Sequence, residues 1–250
     1  MAEGDAGAIR RREEAGGRLR WLVIDRPGKA NALTPAMLEA LCREVEDAAG
    51  SADLAALVIT GSGGKVFSAG ADIGDFEPAT MARLPLWERL SDGIAALPCL
   101  TIAAIGGTLA GGAFGMALAC DLRVTVPHAR FFYPALARGV LPQPADIDRL
   151  ARLVGPGRAR LMLMAGMRFD AAEAQAAGLV EMVVPASSLE ERVRRLAAPA
   201  LAAPPALLVA LKRLMAAPRD PALRREAFAA ALDGDEAALA ALRAAPPAAD

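Results

Sequence analysis

The chain has 250 residues, 54% of them hydrophobic, which is enough for one large domain with a sizeable core and argues against general disorder. Its 28 basic and 29 acidic residues leave a formal charge of −1, so it offers no basic field for nucleic acid or an anionic membrane. Cys42, Cys99 and Cys120 are scattered and odd in number, with no C-x-x-C pair; this removes a disulfide framework and a zinc site and predicts a reducing, cytoplasmic setting.

Residues 1–17 are charged and lack an apolar stretch, so they read as a disordered leader and not as a secretion signal. Residues 19–24 read as a strand that ends at the turn signal Asp25-Arg26-Pro27-Gly28. Thr34 is expected to cap a helix with Pro35 at its first position and Met37, Leu38, Leu41 and Val45 on one face. A second strand over 55–60 leads into the turn Phe67-Ser68-Ala69-Gly70-Ala71-Asp72-Ile73, and a third over 100–105 leads into a second glycine turn centred on Gly111-Gly112. A helix over about 112–119 and a strand over 123–126 follow, so strands and helices alternate as in an α/β fold. Residues 93–120 carry no charge and are long enough to span a bilayer, but Pro98 and the paired glycines divide them into a short strand and a short helix.

From Pro144 onward the pattern turns helical, over 145–154, 158–165, 171–177 and 189–196. After Pro204-Pro205 an Ala/Leu-rich helix runs to Met215, another carries Phe228, and a short one covers 238–244. The division expected is a leader over 1–17, an α/β core over 18–195 and a helical region over 196–250.

The two glycine turns carry the chemistry. A strand-to-helix turn without bulky side chains presents bare backbone N–H groups at a positive helix start, which suits a developing oxyanion. Two such turns suggest a two-donor hole. Nucleotide motifs are excluded: Gly63-Gly64-Lys65-Val66 lacks the first glycine and the Ser/Thr of a Walker A loop, and residues 110–115 fall one short of G-x-G-x-x-G with no acid at the ribose distance. His128 is the only histidine and follows a strand away from both turns, which removes a Ser-His-Asp triad.

Five ordered motifs resemble the crotonase superfamily, the enoyl-CoA hydratase/isomerase family. They are Arg26-Pro27-Gly28-Lys29-Ala30-Asn31-Ala32-Leu33, the turn over 67–73, the glycine segment over 107–121 ending in Cys120-Asp121, Leu150-Ala151-Arg152-Leu153-Val154-Gly155, and the segment over 171–184. The resemblance covers about residues 19–243 and implies a spiral of ββα units with a C-terminal helical trimerisation region. It implies that Ala71 and Gly112 donate their N–H groups to a thioester carbonyl. Lys29, Ala30, Ala69, Gly70, Asp72 and Ile73 would line the CoA path, and Phe76, Leu109, Gly115, Tyr133, Ala135 and Gln143 the acyl pocket. No cofactor beyond the substrate's CoA and no metal is expected. The expected partners are an acyl-CoA thioester and further copies of the chain, as a trimer or hexamer, with no nucleic acid and no membrane. In the family a phenylalanine and basic residues near 228–243 often reach a neighbouring subunit's CoA.

Alignment on these motifs puts Gly115 and Ala135 where hydratases of the family carry two glutamates, and neither residue can move a proton. The remaining carboxylates near the turns are Asp146, Asp148, Asp75 and Glu77. Asp146 is the candidate base, although an acid in a helix's first turn also complements the macrodipole with no catalysis. Asp72 reads as a helix-start cap. Tyr133 either lines the pocket or packs on Phe131 and Phe132. Three functions follow: a hydratase/isomerase-type enzyme with an unconventional base, a decarboxylase or carbon–carbon cleaving relative that needs none, and a catalytically silent acyl-CoA-binding protein.

Overall fold

The computed structural model describes residues 7–74, 80, 83–216, 225, 228 and 229. Ten strands occur among them: β1 (Ala8–Glu14), β2 (Leu19–Asp25), β3 (Ala56–Gly61), β4 (Val66–Ser68), β5 (Leu100–Ile105), β6 (Thr108–Ala110), β7 (Leu122–Thr125), β8 (Arg130–Phe132), β9 (Phe169–Asp170) and β10 (Met182–Val183). They form a six-stranded sheet in the order β1-β2-β3-β5-β7-β10 and a four-stranded one in the order β4-β6-β8-β9.

The helices are α1 (Pro35–Ala49), α2 (Leu86–Ala96), α3 (Phe114–Ala119), α4 (Ala135–Arg138), α5 (Pro144–Leu163), α6 (Ala171–Ala176), α7 (Leu189–Ala202) and α8 (Pro205–Ala216). A long strand in the first sheet, a short strand in the second and a returning helix repeat along the chain, which is the spiral of ββα units expected. From β2 to β10 the first sheet is parallel, and its strands are near-continuous apolar runs because both faces are covered.

The expected leader needs correction. Ala8–Glu14 pairs antiparallel with β2 along its whole length, Ala8 opposite Asp25 and Glu14 opposite Leu19. Its charges have partners in the fold: Arg10 pairs with Asp25, Arg11 reaches Asp47 at 2.7 Å and Arg12 reaches Glu190 at 3.1 Å. A charged strand at a sheet edge also discourages pairing with another chain.

α1 follows the sequence reading: the Thr34 hydroxyl accepts from the Met37 N–H at 3.2 Å, Pro35 opens the helix, and the buried face is Met37, Leu38, Leu41, Cys42, Val45 and Ala48. The two helices expected over 145–165 are one element broken at Gly155, whose φ of 78° no helix accommodates. α8 is docked by Lys212, whose ammonium donates to the Cys99 carbonyl at 2.7 Å and to Asp121 Oδ2 at 2.8 Å. Asp121, the last residue of the second glycine motif, also accepts from the Thr101 N–H and hydroxyl, so its work here is structural. Phe228 is exposed; the rest of the segment over 228–243, apart from Ala229, lies outside the described residues, as do 1–6 and 238–244. Among the described residues no single helix is long and apolar enough to cross a membrane.

Arg123 of β7 ties the residue after α3 to the segment before β10. It is buried, donates to the carbonyls of Leu179 at 2.9 Å and Cys120 at 2.8 Å, and pairs with Glu181. Arg123→Ala leaves several of those groups unpaired and is expected to cost about 3–5 kcal/mol. Urea unfolding checks this, and a loss under about 1 kcal/mol would show that the network contributes little.

Candidate active site

The first turn is held by the segment that precedes it. Asn31, fully buried, accepts from the Arg26 N–H at 2.9 Å and donates to the carbonyls of Ser62 at 3.0 Å and Val66 at 2.7 Å. Leu33 and Ala71 form an isolated parallel bridge, in which the Leu33 N–H donates to the Gly70 carbonyl at 2.8 Å and the Asp72 N–H to the Leu33 carbonyl at 2.9 Å. That alternation leaves the intervening Ala71 N–H aimed away from Leu33.

The second turn meets the first at backbone contact. Gly70 has φ of 88°, and a Cβ there would lie 2.8 Å from the Gly112 nitrogen and 2.9 Å from the Ala110 oxygen. Gly112 lies in the 3-10 turn Gly111–Ala113 that opens α3, where early N–H groups have no partner within the helix. Ala71 and Gly112 line one cleft of about 100 Å³, with Ile73, Gly111, Trp87 of α2, and Tyr133, Pro134, Arg138, Val140, Leu141, Gln143 and Asp146 from the chain after β8. Two adjacent N–H donors at the wall of an apolar cleft can favour an oxyanion over a neutral carbonyl.

Asp146 sits in the first turn of α5 and is 4% exposed. A Cβ built on Gly115 would lie 2.6 Å from Asp146 Oδ2, so the aspartate carboxyl fills the space that a side chain at 115 would need. Burial pushes its pKa up to about 6, against the opposing pull of Arg149. Arg149 Nη1 donates to Asp146 Oδ1 at 3.3 Å and to the Ser91 hydroxyl at 3.0 Å, and Nη2 donates to Asp92 Oδ1 at 2.6 Å. Asp148, two residues on, is exposed and does not line the cleft. Of the two acids, the structure thus puts in the cleft the one the sequence reading preferred.

Tyr133 both lines the cleft and packs against Phe114, with ring centroids 5.8 Å apart. Burial, and then the charge of Asp146, raise its phenol pKa. Gln143 lines the cleft too. Leu109, Gly115 and Ala135 do not. Leu109 is buried in β6, Gly115 is covered by Asp146, and Ala135 lines a second cavity with Leu163 and Met164. Asp72 Oδ2 accepts from Arg26 at 2.5 Å, a bond that first of all lowers its pKa, and Oδ1 accepts from the Gly74 N–H at 2.9 Å, as a helix-start cap does, while residues 75–79 after it lie outside the described residues.

Of the expected CoA path, Ile73 lines the cleft and Gly70 forms its backbone joint, while Lys29 and Ala69 are exposed and do not line it. Ala30 takes a left-handed φ of 52° at the end of the 3-10 turn Pro27–Lys29 and accepts from the Ala69 N–H at 3.0 Å. Phe76, Asp75 and Glu77 lie outside the described residues. His128 is exposed, its Nε2 3.0 Å from the Gly64 carbonyl oxygen and away from the cleft.

Sequence reasoning missed Trp87, Arg138, Val140 and Leu141. Trp87 had a findable signal, because Trp87, Leu90, Ser91 and Ile94 form the buried face of α2 at helical spacing. Nothing in the order of residues signalled the other three, which lie on α4 and the loop after it.

Comparison with known proteins gives the family and the fold. Residues 17–234 match the family model described as Enoyl-CoA hydratase/isomerase. A 2,3-dehydroadipyl-CoA hydratase of Escherichia coli is 34% identical over 213 residues, 83% of this chain and 82% of the relative. An enoyl-CoA hydratase of Bacillus anthracis superposes with a TM-score of 0.86 at 28% identity, over 94% of this chain and 95% of that one. DspI of Pseudomonas aeruginosa superposes at 0.85 with 30% identity, over 94% and 92%.

Proposed function

This chain belongs to the enoyl-CoA hydratase/isomerase family, and from that premise we propose that it binds an acyl-CoA thioester and moves a proton on it through an enolate, with Asp146 as the proton carrier. The Ala71 and Gly112 N–H groups receive the thioester oxygen. Asp146 takes a proton from the carbon next to the thioester, and the bonding pair moves into the carbonyl to give the enolate. For a 3-enoyl thioester the same carboxyl returns the proton at carbon 4 as the double bond moves into conjugation. One carboxyl suffices for that 1,3-shift.

The observation that carries the reading is the position of Asp146: a buried carboxyl in the cleft both donor turns line, filling the space over Gly115. Among the described residues it is the only acid lining the cleft, whereas adding water to a double bond calls for groups that handle the water and the carbon together. This favours isomerase-type proton transfer over hydration. The same carboxyl works against a decarboxylase, since like charges at close range disfavour each other. The reading includes a homo-oligomer, trimer or hexamer, and no cofactor beyond the CoA of the substrate.

The test is mass spectrometry of 3-enoyl-, crotonyl- and methylmalonyl-CoA incubated with the protein in heavy water. Deuterium incorporation with a shifted double bond is expected. Water addition or CO₂ loss as the main event, or no change in any thioester, would overturn the proposal.

A further inference from the structure

Among the described residues Arg138 is the one basic side chain that lines the cleft, and the proposed proton transfer leaves it unused. It ends the one-turn helix α4 and is exposed, with the left-handed Gly139 (φ 64°) directly after it. It lines the cleft beside Val140 and Leu141, in a wall otherwise largely apolar. Among the described residues no carboxylate pairs with it. Arg149, by contrast, is engaged by Asp146, Asp92 and Ser91. A basic residue at a helix end often does no more than complement the dipole, but a four-residue helix has little dipole to complement.

A guanidinium presents a planar fork of donors that matches a carboxylate with two parallel hydrogen bonds. Set at the rim of an apolar slot, it leaves the reacting end of an acyl group to the buried cleft and meets whatever the far end of the chain carries. We infer that Arg138 selects acyl-CoA substrates whose acyl chain ends in a second carboxylate, that is, ω-carboxyacyl thioesters, a specificity that rests on the acyl-CoA reading above. The cleft then has two acid-related sites with opposite duties. Asp146 acts on the carbon beside the thioester, and Arg138 holds the anionic terminus away from Asp146, where it would otherwise be repelled.

The test is calorimetric titration of the full chain with saturated thioesters, which bind without reacting: glutaryl-, adipyl- and suberyl-CoA against valeryl-, hexanoyl- and octanoyl-CoA, with free CoA as reference. At the length that spans the slot, the ω-carboxy thioester is expected to bind about tenfold tighter than its monocarboxylic partner, the worth of one charge-assisted contact. Arg138→Gln should bring the two affinities together, and Arg138→Lys should keep part of the difference. Equal affinities in the unmodified protein, or a preference that survives Arg138→Gln, would overturn the assignment of Arg138 while leaving thioester binding intact. A loss shared by every ligand, free CoA included, would place Arg138 against the CoA phosphates and equally overturn it. Absence of binding by all the thioesters would remove the acyl-CoA reading itself, and this inference with it.

Discussion

Asp146→Asn is expected to slow protein-dependent proton exchange on the thioester by about 10²–10⁴-fold, the usual worth of one positioned acid–base group. Asparagine keeps the shape and can still accept from Arg149 but cannot carry the proton. The same change is expected to stabilise the fold. The Asp146 pKa of about 6 means that the folded chain retains a proton which an unfolded aspartate, with a value near 4, has already released. Between about pH 4 and about pH 6 the folded state therefore binds more protons, and stability falls as pH rises; above pH 6 the cost is constant. Two pKa units correspond to about 3 kcal/mol, an upper bound on the gain from Asp146→Asn at pH 7. Loss of activity with a raised melting temperature is the paired result expected, since stability is commonly given up at a working site. A variant that is both inactive and destabilised would indicate that Asp146 is a structural partner of Arg149.

The second large effect concerns the donor at Gly112. Gly112→Pro deletes the N–H, and removing one donor of an oxyanion pair typically costs about 2.7–4 kcal/mol of transition-state stabilisation, or 10²–10³ in kcat. Proline also constrains Gly111, whose φ is 58°, so the comparison needs a partner variant. Gly112→Ala keeps the N–H, but its Cβ would lie 3.1 Å from two ring atoms of Trp87, and the indole must shift by a few tenths of an ångström. The alanine variant is expected to lose roughly tenfold through that repacking, and the proline variant at least tenfold more. Free CoA has no thioester carbonyl, so its affinity should be similar in both variants. Equal activities for alanine and proline would remove Gly112 from the donor pair.

The parts legible in the sequence are those with local signals. Thr34-Pro35 announced α1, and the two glycine turns announced themselves because only small residues allow the approach at Gly70. The short strands β4, β6, β8 and β9 were not legible, since two or three residues cannot show a period. β1 was misread because Arg10, Arg11, Arg12, Glu13 and Glu14 look like a solvated leader until Asp25, Asp47 and Glu190 are brought beside them. At the site, Ala71, Gly112, Tyr133, Gln143 and Asp146 were named in advance and share one cleft, whereas Leu109 and Ala135 were placed in it by alignment and face elsewhere. Asp146 was preferred to Asp148 from its place in the sequence, but its position over Gly115 needed the rotation of α5. Arg138 needed the packing of α4 around the turns, which depends on contacts distant in sequence, whereas the helical spacing of the α2 face could have pointed to Trp87 as a buried residue.

The measurement that tests the central claim most directly is the pH dependence of deuterium incorporation into a 3-enoyl-CoA, for the unmodified protein and for Asp146→Asn. If Asp146 is the base, exchange rises with pH through an apparent pKa near 6, and the asparagine variant shows only a low, flat remainder. Profiles of the same shape and height for both proteins would contradict the account and assign the proton to another group.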